Sequence, residues 1–495
     1  MFPPRRARTG RAAATTIRGK RTMRFRVVES LVAGALTVAC PWFAGSSLQA
    51  QERAVDRRRS LDPNMPVSDD PRRVPVAPGP TGPEGTIVLV GGRVFDGTGT
   101  PARPATIVIE RNRIAAIREA GAGGVPPGAR TIDASGMTIL PGLIDLHVHL
   151  SYSAKAGEEP WHLASDPVEA TLRGVERARY FIESGITSVR DVGSHGLVPF
   201  RLKQWIRQRR LPGPRVFPAG MLLTGTGGHG AEGLRPGSSL WLYVKEVSGP
   251  EEWRDAVREN FKAGADVIKI ASHFSREEVK AAADEAHALG LRVICDCETF
   301  YIDWAIDAGV DIIEHPLPRS DDAIRKMAER GVFAVPTVTA YDFVFDENGG
   351  YFGSSSRRFG FSPARNVEMI RRLKRAGIKS GIGTDVVGGN YRYVLPAYIR
   401  ELKHFVEAGY TVAEALVAGT KTSAEVLDMD DKLGTLEVGK LADLLVVRGQ
   451  PDRNLDDLAN VNLVIRDGEV VVENGKVAIP RHPALPIPLP VRSPR

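Results

Sequence analysis

Seven times along this chain a helical-looking stretch ends in glycine and gives way at once to a short apolar run, and no other feature limits its possible folds so strongly. These runs begin at Gly185, Gly213, Gly264, Gly290, Gly309, Gly331 and Gly377. Glycine readily takes the left-handed conformation that closes a helix, and a compact apolar run directly after it reads as a buried strand. With the run from Ile139 to His147 placed before them, the pattern gives eight strands alternating with helices. Such alternation predicts an α/β chain folded as a (β/α)8 barrel, with its chemistry at the C-terminal ends of the strands. An open doubly wound sheet is the competing fold. It would require a glycine-rich phosphate loop after its first strand, and Gly227 to Gly230 does not match that fingerprint.

Two segments stand outside this pattern. Short alternating strands fill Thr86 to Asp133 and the stretch from Gly434 to about Val477. Pairing them predicts a small β-sandwich built from residues 86–137 and 432–478, with the barrel of residues 138–431 inserted between its halves. Residues 51–85 are rich in Pro, Arg and Asp and too poor in apolar side chains to offset the entropy of ordering, so they are expected to be a disordered linker. Residues 479–495 form a Pro-rich tail.

The N-terminal 50 residues join an Arg-rich start to an apolar run from about Val27 to Ala44 and a small-residue stretch ending at Ala50. This is the pattern of a secretory signal, with Met1 or Met23 as the start. Export to the periplasm or outside the cell follows, with the mature chain beginning near Gln51. An uncleaved N-terminal anchor is the alternative. Charge supports a non-nucleic-acid function. Residues 1–84 hold 15 Lys+Arg against 7 Asp+Glu and residues 479–495 add three Arg, so the overall +7 resides in the ends and residues 85–478 are net negative. A nucleic-acid footprint would need those cations on the folded part. Once the signal is removed no stable membrane association is expected, and a homo-oligomer is compatible with everything above.

The chemistry-bearing residues fall at the predicted strand ends. His147 and His149 close the first strand, and side chains two apart on a strand share a face, so both imidazoles can converge on one ion. Lys269, His315 and Asp385 end the fourth, sixth and eighth strands. All would share one rim of the barrel. The stretch Pro141 to His149, the strand Gly264 to Lys269, the Glu314-His315 pair, Gly383 to Asp385 and the stretch from Gly434 through Asp443 to Val447 together resemble the amidohydrolase superfamily, in particular its imidazolonepropionase-related and Xaa-Pro dipeptidase-like members. The resemblance spans about residues 86–477.

That resemblance implies a hydrolase that cleaves an amide-type C–N bond of a small-molecule substrate by metal-activated hydroxide. It implies one or two divalent ions, zinc first among them, held by His147, His149, Asp385 and His315, with Lys269 carbamylated so that it can bridge them. Asp385 would also move the proton to the leaving amine. His229, in Thr226 to Gly230, and His195, after Asp191, are the expected substrate-binding histidines. Against the alternative that Lys269 is simply an ion-pair partner of a site carboxylate stands the cost of a buried ammonium.

At the fifth strand the chain departs from the family. Counting back from His315, the place of a histidine ligand falls on Cys295 of Cys295-Asp296-Cys297-Glu298. A thiolate is a good zinc ligand, so Cys295 is expected to bind the ion while Cys297 does not. A Cys295–Cys297 disulfide and a merely space-filling Cys295 are the competing accounts. The substitution also leaves open a mononuclear deaminase, with Glu298 or Asp296 carrying the proton, and a scaffold whose site has decayed. The long stretches about Met221 to Pro250 and Tyr341 to Pro363 read as lids over the mouth. Their cations Arg235, Lys245, Arg357 and Arg358 suggest substrates with a free carboxylate. His287 and His404 lie in helical patterns and are expected on outer helices.

Overall fold

A computed structural model describes residues 83–152, 166–231, 243–348, 362–386 and 394–478. The segments expected to be a signal and a Pro-rich tail, and nearly all of the expected linker, lie outside these residues. The described chain has mixed α/β structure around curled parallel sheet.

Parallel strands carry the predicted runs. Leu143–Val148, Ile186–Asp191 and Arg215–Pro218 pair in one sheet, and Val267–Ala271, Arg292–Asp296, Ile312–Glu314 and Phe333–Val335 pair in another, with Leu222–Gly225 and Val244–Val247 extending its edge. Backbone hydrogen bonds continue past these pairings. Asp266 N donates to Pro218 O at 2.9 Å, Gly381 N to Ala334 O at 2.9 Å, and Leu146 N to Ile382 O at 2.8 Å. The eighth predicted run is thus held between the seventh strand and the first, with a single bridge, Ala334 to Ser380, in place of a regular ladder.

The glycine signal works as the sequence suggested at six of its seven positions, where φ is positive; Gly213 is the exception. Gly264, Gly309 and Gly331 cap the helices Pro250–Ala263, Phe300–Ala308 and Asp321–Arg330. Strand faces then sort the cores. Ile144, Leu146, Val267, Ile294, Ile312 and Val335 pack together on one side of the parallel strands. Ile268, Ile270, Val293, Cys295 and Ile313 pack on the other, against helix residues such as Ala282, Ala286 and Ile306.

The single strand expected from Ile139 to His147 is two. Met137–Pro141 pairs antiparallel with Leu444–Arg448, while Leu143–Val148 pairs parallel with Ile186–Asp191. Gly142 marks the switch because a Cβ there would lie 2.1 Å from the Thr187 hydroxyl. Met137–Pro141 therefore joins the two ends of the chain in one sheet. Its order runs Lys476–Val477, Glu469–Glu473, Val461–Arg466, Leu444–Arg448, Met137–Pro141, Arg93–Val94, Arg103–Glu110, Thr86–Val90 and Arg130–Asp133, with Arg113–Glu119 also paired to Arg103–Glu110. Alternation again divides the faces, since Ile139, Leu444 and Val446 enter one core and Leu140, Leu445 and Val447 another.

His287 and His404 do lie on helices, Arg276–Ala288 and Val394–Glu407. The second of these helices organises the segment after the seventh strand. Glu401 accepts the backbone N–H groups of Val338 and Thr339, which open the helix Val338–Asn348. Beside it, His404 Nε2 lies 2.7 Å from Oδ2 of the buried Asp342. Burial pulls the His404 pKa down, but the hydrogen bond to Asp342 and the charges of Glu401 and Asp342 outweigh it and raise it to about 9. A histidine raised in this way stabilises the fold fully below its unfolded pKa of about 6.5, and the contribution fades as pH rises through about 9. Replacing His404 by Gln should cost on the order of 2 kcal/mol at pH 6 and much less at pH 10, read as the shift in thermal midpoint at the two pH values. Equal shifts at both would refute the assignment.

Candidate metal centre

Asp145, His147 and His149 project from one face of the first parallel strand and its end, the period-two consequence of their spacing. The backbone N–H and hydroxyl of Thr384 donate to Asp145 at 3.0 and 2.6 Å, and His147 N donates to it at 3.1 Å. Burial is the chief influence on the Asp145 carboxyl and raises its pKa to about 7. Through this clasp, and through Asp385 N donating to His147 O at 2.8 Å, the next residue along, Asp385, is carried to the two histidines. Asp385 Oδ1 lies 3.4 Å from His149 Nε2 and 3.6 Å from His147 Nε2.

The far ring nitrogens are occupied. His149 Nδ1 lies 2.7 Å from the Gly193 carbonyl, which can only accept, so Nδ1 holds a proton, and it is the loss of the Nε2 proton that would free a lone pair for an ion. His147 Nδ1 lies 2.6 Å from Glu314 Oε2, whose other oxygen accepts from Arg190 Nη2 at 2.6 Å. Burial, opposed by Arg190 and Lys269, raises the Glu314 pKa to about 7. Burial also drives the His147 pKa well below its ordinary value, with Lys269 and His315 adding to the effect. Burial pushes the Asp385 carboxyl up, but the hydrogen bond and charge of His149 and the charges of His315 and Lys269 hold it below the usual carboxylate range.

A second group adjoins the first. Lys269 Nζ, buried, lies 3.3 Å from His147 Nε2 and 3.3 Å from Asp296 Oδ2. His315 takes a left-handed φ of 64°, sets Nδ1 2.7 Å from the Thr337 hydroxyl and brings Nε2 3.0 Å from the same Asp296 oxygen. His229 Nε2 lies 3.4 Å from it as well. His229 thus stands at the centre, where a substrate-binding histidine was expected.

Cys295 does not. In Arg292–Asp296, Ile294 and Asp296 turn toward the centre while Cys295 turns away, and the register agrees: Lys269 pairs with Ile294, and the outward Ile270 pairs with Cys295. Cys295 is packed among Val293, Ala282 and Ala286 and is joined to Cys297 in a disulfide, with Cα atoms 5.4 Å apart. A sulfur on the helix-facing side of the strand and already bonded to another sulfur cannot serve the ion, so the expectation of a Cys295 ligand is corrected. The inward residue of the motif is Asp296.

Around the centre is an aromatic wall that the sequence did not disclose. Tyr152 stacks on His149 with ring centroids 4.1 Å apart and 16° between planes, and Tyr243 meets Tyr152 edge-on at 5.0 Å. His195 stands edge-on to Tyr243 at 5.2 Å, so the rings of Tyr243 and Tyr152 link it to His149. Glu298 accepts from the Ser272 hydroxyl. Of the cations that suggest carboxylate-bearing substrates, Lys245 pairs with Glu259, while Arg235, Arg357 and Arg358 lie outside the described residues. Part of the first presumed lid is strand, since Leu222–Gly225 pairs with Val244–Val247.

The donor set fits a divalent ion. Ligand atoms of His147, His149 and Asp385 all lie within 4.8 Å of one another, two of them imidazole nitrogens and one a carboxylate oxygen, and each histidine is oriented by an acceptor behind it. Residues 138–471 match the family model described as the amidohydrolase family. The chain is similar to an imidazolonepropionase of Geobacillus thermodenitrificans, 27% identical over 71% of this chain and 85% of the relative. It is also similar to an ochratoxinase of Aspergillus niger, 26% identical over 78% of this chain and 86% of the relative. A solved Xaa-Pro dipeptidase with bound methionine in its active site superposes with a TM-score of 0.68 at 30% identity, over 78% of this chain and 99% of that one.

The carboxylate behind His147 has a measurable consequence. Glu314→Gln keeps the shape but removes the charge that favours the Nδ1–H tautomer, so metal affinity should fall by about 10–100-fold in competition with a chromophoric chelator. An unchanged affinity would show that Glu314 does not orient the ligand.

Proposed function

The chain belongs to the amidohydrolase family of C–N hydrolases, and on that premise we propose that it is a metal-dependent enzyme opening an amide-type C–N bond in a small molecule, a dipeptide, N-acyl amino acid or cyclic amide. The observation that carries this is the convergence of His147 Nε2, His149 Nε2 and an Asp385 oxygen, with both histidines fixed from behind. We read the two parallel sheets and the segment through Ser380 as one (β/α)8 barrel, and the mixed sheet as a sandwich built from both chain ends. The backbone hydrogen bonds running from strand to strand and back to Leu143–Val148 support this.

His147, His149 and Asp385 would hold one ion and His315 would help to hold a second, with Lys269 between them as its carbamate. A plain ammonium has no lone pair to offer, and 3.3 Å from His147 Nε2 it would repel a cation there. When bound, the divalent ions, zinc first among them, supply Lewis acidity and bring water close to ionisation at neutral pH. Asp385 does the proton work. Its carboxylate takes a proton as water oxygen bonds to the carbonyl carbon, then gives that proton to the nitrogen as the C–N bond breaks, leaving an acid and an amine. Tyr152 and Tyr243 wall the site from solvent, and His229 and His195 offer ring nitrogens for substrate oxygen atoms.

A panel of Xaa-Pro dipeptides, N-acyl amino acids and cyclic amides tests the proposal. Hydrolysis of at least one class should vanish on chelation and return with zinc, and Asp385→Asn should lower kcat by about 10²–10⁴-fold. Activity that survives complete metal removal would refute it. We also propose that the enzyme is exported after cleavage near Gln51. Mass spectrometry of exported protein should find no residues 27–44; their presence would favour the N-terminal anchor.

A further inference from the structure

The inward turn of Asp296 raises the question of what a buried carboxylate is doing where one of its oxygens meets three nitrogens. Asp296 Oδ2 lies 3.0 Å from His315 Nε2, 3.3 Å from Lys269 Nζ and 3.4 Å from His229 Nε2, and its side chain is only 2% exposed. We propose that Asp296 is the fifth-strand ligand of the second divalent ion, an anionic oxygen donor in place of the neutral histidine that the family resemblance implies at this strand. The inference rests on the two-ion reading given above.

Electrostatics carries the argument. In carbamylation the Lys269 ammonium first gives up a proton to solvent, its nitrogen lone pair bonds to the carbon of carbon dioxide, and the nitrogen releases a second proton, so a cation becomes an anion. In the present geometry that anion stands directly beside the Asp296 carboxylate. Two like charges at such a distance in a pocket closed to water are strongly unfavourable unless a cation lies between them. With a divalent ion there, the same arrangement becomes two anionic oxygen donors and the His315 imidazole around one charge. Carbamylation of Lys269 and filling of the second position are thereby coupled through Asp296. In the unloaded protein the pair is an ordinary ion pair, which neutralises the buried ammonium until carbon dioxide and metal arrive together.

The same substitution sets metal preference. A carboxylate in place of an imidazole lowers the net charge of the loaded site by one and replaces a nitrogen donor by a harder oxygen donor. The second position should therefore favour oxygen-preferring ions such as Mn²⁺, relative to Zn²⁺, more than a histidine-built position would. The outward-facing, disulfide-bonded Cys295 has no part in this.

Metal content of full-length protein loaded with Zn²⁺ or Mn²⁺ in bicarbonate and freed of excess ion decides the matter, with ¹³C-bicarbonate labelling to detect the Lys269 carbamate by NMR. Wild type should carry two ions and the carbamate signal. The isosteric Asp296→Asn and the smaller Asp296→Ala, checked for folding by circular dichroism, should each carry one ion and lose the carbamate signal. Asp296→His should carry two ions with the Zn²⁺ over Mn²⁺ preference raised about tenfold or more, and Cys295→Ala should match wild type. Two ions and an intact carbamate in folded Asp296→Asn would overturn the role of Asp296 while leaving the two-ion reading in place. A single ion in wild type would overturn that reading itself, and the proposal with it.

Discussion

The carboxylate of Asp145 holds the site together, because it is the point at which the first parallel strand and the last predicted strand run are clasped. One oxygen accepts from the backbone of Thr384 and of His147, and the other from the Thr384 hydroxyl. The cost of burying this group is visible in a pKa raised to about 7, and it is offset by hydrogen bonds of which the two from Thr384 exist only when residues 145 and 384 meet. Asp385 follows Thr384, so the same contacts that join the strands also fix its carboxylate beside His147 and His149. Fold closure and metal geometry are one constraint here.

A parallel device works from the opposite side. Glu314 joins Arg190 to His147, linking the second, sixth and first strands through fully buried charges. Truncating Arg190 or Glu314 would leave its partner's charge unpaired in the interior, so that pair is costly to break. With His149 fixed on Gly193 and His315 on Thr337, the ring nitrogens proposed as ligands are already held in place. Such preorganisation spares the loaded site the cost of ordering its ligands.

Much of this was legible in the sequence. The glycine signal located the parallel strands, and strand ends pointed to His147, His149, Lys269, His315 and Asp385 as one constellation. Local rules failed where distant partners decide. Gly142 interrupts what reads as a continuous apolar strand, because Thr187 leaves no room for a side chain there. At the fifth strand a count of positions selected Cys295, whereas the register against Val267–Ala271 turns Ile294 and Asp296 inward. A one-residue difference on a strand exchanges its faces, so a thiol became a carboxylate. Asp145 and Glu314 were overlooked as well. Their partners lie 239 and 167 residues away in the chain. The one available signal was the presence of acidic residues inside otherwise apolar runs, two before His147 and one before His315.

Crystals of the zinc-loaded protein, measured on both sides of the zinc absorption edge, test the central claim most directly. The account predicts an anomalous peak within bonding distance of His147 Nε2, His149 Nε2 and an Asp385 oxygen. Fully loaded crystals with no anomalous density among those three side chains, or with zinc bound only elsewhere, would contradict it.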